Sequence, residues 1–410
     1  MNLYLILILA ILIGSYLLDL IVDTLNLRHM KTDLPEEFQG YYDPAKYEKS
    51  QEYLRENTRF GILTDTVTTS VTVAFILSGG FNWVDQLVRR ADLDPILTGL
   101  IFFGILVLAY QILHLPFSIY GTFVIEEKYG FNKTSPGTFV LDILKGWVLA
   151  ALIGGIILAA VLWFFEKAGS WAWLYCWAAV TLIQLFLMLV APVAILPLFN
   201  KFVPLEEGEL RKAIQQYAEE QSFKIKGVFK MDGSRRSTKS NAFFTGLGKF
   251  RRIVLYDTLI EGHSVHELVS ILAHEMGHYK MKHIFKSLVI SVLTSGLMFS
   301  ILSLFIRKRE LHEAFQMEEP SVYGGLFFFG FLYSPMMMLL SIFGNVLSRK
   351  YEYEADAYAA KTTGDPTSMI DALKKLSVEN FSNLTPHPLK VFLSYSHPPV
   401  LERIRAIRQV

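Results

Sequence analysis

The sequence predicts a mainly α-helical, multi-pass membrane protein with a smaller water-facing part that contains a few β-strands. Three observations predict it. The 410-residue chain is 52% hydrophobic and 19% charged, with a mean hydropathy of +0.35, and a soluble domain of this size carries more charge. Its apolar residues come in seven long blocks, each near the ~20 residues that cross a bilayer as a helix. Its charged residues concentrate in the segments between and after those blocks. A formal net charge of +1 gives no global field for nucleic acid, and none is expected as a partner. The single cysteine, Cys176, excludes an internal disulfide framework. It sits in an apolar block and reads as a small buried side chain, not a nucleophile.

The first block, "LYLILILAILIGSYLLDLIV" (3–22), has neither the basic leader nor the small-residue cleavage site of a signal peptide, so it reads as a retained span. The others fall near 61–82, 96–118, 139–164, 171–199, 284–306 and 323–346. Block two carries Asp65 and several threonines, which suits a face turned to the bundle interior or to water. Block five ends with Pro192 and Pro197, where a kink or exit is expected. His114, just before Pro116 in block three, is a candidate cavity-lining residue.

Seven crossings put 23–60, 119–138, 200–283 and the C-terminal segment on one side. Lys and Arg favour that side, which points to the cytosol, although "IRKRE" (306–310) opposes it. Within 200–283, "LEEGELRKAIQQYAEEQ" (205–221) has helical spacing, with Leu210, Ile214 and Tyr217 on one face. "FKIKGVFKM" (223–231) alternates as a strand. "SNAFFTGLGKFRRIVLYDTLI" (240–260) reads as two strands around a turn at 246–249. From His263 onward the pattern is helical. The resulting division is 1–200 for spans one to five and 201–283 for the first part of a catalytic domain. Spans six and seven take 284–346, and 347–410 forms the domain's second part.

The chemistry starts with "LAHEMGHYK" (272–280). His274 and His278, four apart on a helix, present two imidazoles on one face, and Glu275 lies beside them. Two neutral nitrogen ligands, an open position and a carboxylate able to take a proton suit a catalytic zinc ion. "HELVS" (266–270) is the nearby contrast: Ser270 replaces the second histidine, so His266 reads as a helix-surface residue. A catalytic zinc of this kind needs a third protein ligand. "LSRKYEYEADAYAAK" (347–361) offers Glu352. Asp356, one turn on, can accept the free N–H of a ligand histidine. Glu354 competes for the ligand role but points about 200° away from Glu352. A solvated acidic helix is the alternative. The first pair lies just before span six and the second just after span seven, so an antiparallel pair of spans brings both to one membrane face. A charged site of this kind needs a hydrated cavity, not bare lipid.

"NAFFTG" reads as an exposed edge strand to which an extended peptide can add, with Asn241 either binding its backbone or serving as an ordinary hairpin residue. His397 precedes Pro398-Pro399, which hold it on a loop. There it can stabilise the oxyanion of a tetrahedral intermediate, or cap a turn. His29, His263, His283, His312 and His387 read as surface residues.

Together with "FVIEEKYGFNKTS" (123–135) and "YSHPPVLERIRA" (395–406), these stretches make the chain resemble the type I CAAX prenyl proteases, integral-membrane zinc metallopeptidases of the a-factor-converting kind. The resemblance covers nearly the whole chain. It implies a seven-transmembrane-helix, barrel-like bundle around a hydrated chamber, capped on the cytosolic side by a gluzincin-like zinc peptidase domain with a small β-sheet. It implies one Zn2+ on His274, His278 and Glu352, Glu275 as general base, and Asn241 and His397 near the bound peptide. The implied substrate is a peptide or protein ending in a prenylated CAAX sequence, cut near its C-terminus. The length and short ends resemble bacterial members, placing the protein in a bacterial inner membrane, or in the endoplasmic reticulum of a eukaryote. The residues alone leave three other readings: a membrane quality-control zinc protease with no lipid requirement, a multi-pass transporter with an incidental HExxH, and a scaffold with a structural zinc.

Overall fold

The computed structural model describes residues 2–225, 227–245 and 252–410. Seven helices are long and apolar enough to cross a membrane: Leu3–His29, Pro44–Leu77, Pro95–Tyr129, Pro136–Lys167, Gly169–Phe199, His283–Phe305 and Val322–Thr363. All seven expected spans are present, and the second and the seventh run furthest beyond the apolar blocks. The second begins at Pro44 behind an Asp43 N-cap, so residues 44–60 are a helical extension and not loop. The seventh continues without a break to Thr363, and Gly364 in the left-handed region ends it (φ 65°). Its last five turns are polar and therefore silent in a hydropathy reading, but a helix needs no apolar residues to propagate once nucleated. The boundary placed at 346/347 falls inside this one helix.

Each span packs against the next in sequence; the seventh returns to the first and the sixth, and at one end also packs on the third and the fourth. The helices thus form a closed ring. Within the most apolar 18-residue window of each span, only 0–22% of the residues are buried. A solid seven-helix bundle would bury more of at least one span, so the ring surrounds space through much of its depth.

Both ends of the ring are packed. At one end, Phe81, Phe102, Leu162, Phe299, Phe328 and their neighbours form an apolar cluster, with Phe315 stacked on Phe328 at 3.7 Å. The short helix Gly80–Arg89 belongs to it. Cys176 lies buried in this cluster, its Sγ 3.7 Å from the Val161 carbonyl. At the other end a second cluster joins Phe38, Tyr53, Phe131, Ile214, Ile253, Leu272, Ala359 and Ile404. Those residues come from all four polar segments that the seven-span count assigned to one side.

This second end holds the sheet. Its order is β1-β2-β4-β3, built from β1 (Phe202–Pro204), β2 (Gly227–Met231), β3 (Ala242–Thr245) and β4 (Arg252–Tyr256). β1 and β3 pair antiparallel with their neighbours, and β2 lies parallel to β4. β3 is an edge, as "NAFFTG" predicted. The expected turn at 246–249 lies outside the described residues. β1 was not anticipated; three residues ending in proline give no periodic signal. "EEKYGFNK" underlies the sheet: Glu126 pairs with Lys239 at 3.1 Å, and the Thr238 N–H donates to the Phe131 carbonyl.

The HExxH helix, Val265–Lys280, starts at a Ser264–Glu267 capping box and packs lengthwise along the last turns of the seventh span. Gly277 allows the contact. A Cβ there would stand 3.0 Å from the Ala355 Cα and 3.2 Å from its carbonyl oxygen. Gly277→Val should therefore force the two helices apart at an overpacking cost of about 1–3 kcal/mol. The checks are the thermal midpoint and the amount of divalent metal retained.

Candidate metal centre

The close approach at Gly277 brings two distant stretches of chain together. Among the described residues, His274, His278 and Glu352 form a group whose ligand atoms all lie within 4.8 Å of one another. His274 Nε2 and His278 Nε2 are 3.2 Å apart. Glu352 Oε2 is 3.5 Å from the former and Glu352 Oε1 is 3.3 Å from the latter. Ligands on arms of about 2.0–2.1 Å around a tetrahedral ion stand about 3.3 Å from each other, so the spacing suits zinc. Glu352 is buried, and its Oε2 lacks a hydrogen-bond partner among the described residues. A buried carboxylate is costly without a cation beside it; here Arg403 Nη1 stands 3.3 Å from that oxygen.

Each histidine is oriented from behind. His274 Nδ1 lies 2.8 Å from Asp356 Oδ1, the contact expected from the i,i+4 spacing of Glu352 and Asp356. That bond places the proton on Nδ1 and leaves the Nε2 lone pair for an ion. Burial opposes a charge on His274, but the Asp356 carboxylate outweighs it and raises the imidazole pKa above its ordinary value. Asp356 is itself clamped by Arg403, Nε to Oδ2 at 2.8 Å and Nη2 to Oδ1 at 2.6 Å. Arg403 Nη1 also reaches Glu352 Oε2 at 3.3 Å.

Glu275 lies beside the ligands without being one of them. Burial pushes its carboxyl pKa up, against the pull of His274 and His278. It lines a cleft of about 390 Å³ together with His278, Phe243, Phe244 and Tyr351. Edge strand β3 therefore forms one wall of the cleft that the HExxH helix forms on the other. Asn241 is exposed at the head of β3; its Oδ1 accepts from the Ala242 N–H and its carbonyl from Tyr256. His397 sits on the loop before the Val400–Ile407 helix, 65% exposed, with Nε2 3.4 Å from Glu352 Oε1. Every site residue singled out in the sequence thus lies on this face of the molecule. His266 is exposed, as expected.

Three histidines read as surface residues are buried instead: His263, His283 and His312. His263 caps its own short helix by bonding the Leu259 carbonyl at 3.1 Å. His312 Nδ1 donates to the Lys308 carbonyl and its Nε2 accepts from the Ser321 N–H at the opposite end of the ring. His283 stands 3.1 Å behind His278. Glu354, weighed as a ligand, is directed away from the cluster and bonds His283. Arg403 was not singled out at all. An arginine amid other helical charges carries no local sign that its partners are buried. His114 bonds Thr68 at 3.2 Å between the second and third spans.

Fold and site together define a multi-pass membrane protein with a two-histidine, one-carboxylate cluster, able to hold a metal ion, at one end of a ring of spans. Comparison with known proteins gives the family. Residues 23–201 match "CAAX prenyl protease N-terminal, five membrane helices", and residues 204–410 match peptidase family M48. The chain is 37% identical over 404 residues to the CAAX prenyl protease 1 homolog of Arabidopsis thaliana, covering 96% of this chain and 95% of that one. It is 33% identical to CAAX prenyl protease 1 of Saccharomyces cerevisiae, covering 93% and 89%. The crystal structure of S. mikatae Ste24p superposes with a TM-score of 0.94 at 31% identity, covering 98% of this chain and 99% of that one. The chain belongs to peptidase family M48, in its CAAX prenyl protease branch, and is a membrane protease of a metallopeptidase family.

Proposed function

We propose that the protein is a zinc metalloendopeptidase that hydrolyses peptide bonds near the C-terminus of prenylated CAAX-type proteins. The observation that carries this reading is the 3.2–3.5 Å spacing of the His274, His278 and Glu352 ligand atoms, with Glu275 in the same cleft as an edge strand. The CAAX prenyl protease relatives suggest the substrate class. One zinc per chain, held by these three residues, supplies Lewis acidity toward the scissile carbonyl and water.

The chain's own groups do the rest. The outer edge of β3 is unpaired among the described residues, so a substrate in extended form can add to the sheet whatever its side chains. Asn241, at the head of that strand, helps hold the substrate backbone. Glu275 takes the proton of the attacking water and delivers it to the leaving amine. An N–H of His397 stabilises the oxyanion. Asp356 keeps His274 in its ligand tautomer. Supporting the lipid requirement, the cleft opens where the HExxH helix meets the sixth and seventh spans; Ile284 and Ser287 of the sixth line it. A prenyl chain on the substrate then has apolar helices beside the reacting bond. The catalytic end faces the cytosol, and the chain spans the endoplasmic reticulum of a eukaryote or the inner membrane of a bacterium.

The test offers purified protein of known zinc content a C-terminal peptide with and without a farnesyl thioether. Preferential cleavage of the farnesylated peptide is expected, with products mapped by mass and activity abolished by a chelator and restored by zinc. Equal cleavage of both peptides would overturn the lipid requirement in favour of a quality-control protease.

A further inference from the structure

We infer that His283 and Glu354 act as a positioning pair that locks His278 in its metal-binding tautomer and orientation. The inference rests on the zinc reading above. The HExxH helix ends at Lys280, and Lys282 adopts the left-handed region (φ 60°). That turn reverses the chain so that His283, the first residue of the sixth span, comes back behind His278. Its ring is buried and stacks on Tyr351 at 4.0 Å and 9°. Its Nδ1 lies 3.1 Å from His278 Nδ1, and its Nε2 lies 2.9 Å from Glu354 Oε2.

These contacts admit one proton arrangement compatible with an ion at the centre. His278 faces the cluster through Nε2, so that atom needs its lone pair and the proton sits on Nδ1. Two facing Nδ1 atoms share a hydrogen bond only if one of them is protonated, so His283 Nδ1 accepts. The remaining proton of His283 is then on Nε2, where it donates to the Glu354 carboxylate. Reversing the direction of the first bond would move the His278 proton to Nε2 and remove a ligand. Glu354 cannot serve His278 directly, because it leaves the seventh span on the side away from Glu352. His283 spans that gap. The two ligand histidines are thus backed differently: His274 by a carboxylate, and His278 by an imidazole that a carboxylate orients.

Loss of such a partner typically weakens metal binding by about 10–100-fold. The experiment uses the full chain, zinc-loaded in detergent, and follows release of zinc into excess chromogenic chelator. His283→Leu is expected to release zinc about 10–100-fold faster than the parent protein. His283→Asn, whose Oδ1 can accept in place of Nδ1, should recover most of the retention. Glu354→Gln, which keeps an acceptor oxygen, should stay near the parent, and Glu354→Leu should not. Because the Glu354 side chain is 33% exposed, its variants test the pair even if His283→Leu fails to fold. The inference is overturned if both leucine variants release zinc within twofold of the parent. It is also overturned if Asn and Gln do no better than Leu, or if the thermal midpoint of the metal-free protein falls as far as that of the zinc form. A parent protein that holds no zinc would instead sink the zinc reading itself.

Discussion

Glu275→Gln should keep a full equivalent of zinc and lose about 10²- to 10⁴-fold in peptidase rate. Glu275 contributes no atom to the His274–His278–Glu352 group, so the substitution leaves the ligand set intact. The amide matches the carboxylate in shape and cannot take a proton from water. Burial raises the Glu275 carboxyl pKa, and the neighbouring histidines pull it back, which suits a group that must both take and release a proton. Because the deprotonated carboxylate is the working form, the parent rate should fall as pH drops through that raised pKa. Metal analysis and single-turnover cleavage of one peptide, run on the same preparation, check both halves. Full activity with zinc retained would remove Glu275 from the chemistry.

Arg403→Met should destabilise the protein by about 3–5 kcal/mol, the usual consequence of removing one partner from a buried ion pair. The Arg403 side chain is 11% exposed and the Asp356 side chain 1%. Desolvation opposes the guanidinium charge, yet Asp356 and Glu352 together raise its pKa above the ordinary value. Without it, two buried carboxylates face each other across His274 with no fixed cation. Arg403→Lys should recover little, because an ammonium cannot reproduce the two-pronged contact with Asp356. Thermal unfolding with and without zinc measures the effect, and the zinc-free protein should lose more. An unchanged midpoint in both forms would show that the Arg403 contacts contribute no net stability.

The candidate ligand residues could be brought together from the sequence because their spacing is local. Positions i and i+4 share a helix face whatever the rest of the chain does, so His274 with His278, and Glu352 with Asp356, could be paired by counting. Asp356 as the partner of a ligand histidine followed from the same arithmetic. His283 was misjudged for the opposite reason. Its burial depends on a left-handed Lys282 that turns the chain, and on Tyr351 and Glu354 of a helix some seventy positions away. Arg403 was missed on similar grounds: its partners lie about fifty positions upstream, and nothing near it marks the contact.

By itself the sequence determined the seven spans, the common end of the four polar segments, the edge strand and the identity of the candidate metal ligands, because hydropathy and helical periodicity act over a few turns. Only the tertiary structure decided that the third ligand rides on the uninterrupted seventh span, and that Gly277 sets the distance between its helix and the HExxH helix. It alone joined the ring at both ends and backed each ligand histidine with a different partner. Those features are close contacts between segments far apart in the chain. Their energies come from burial and packing, which exist only once the helices have met.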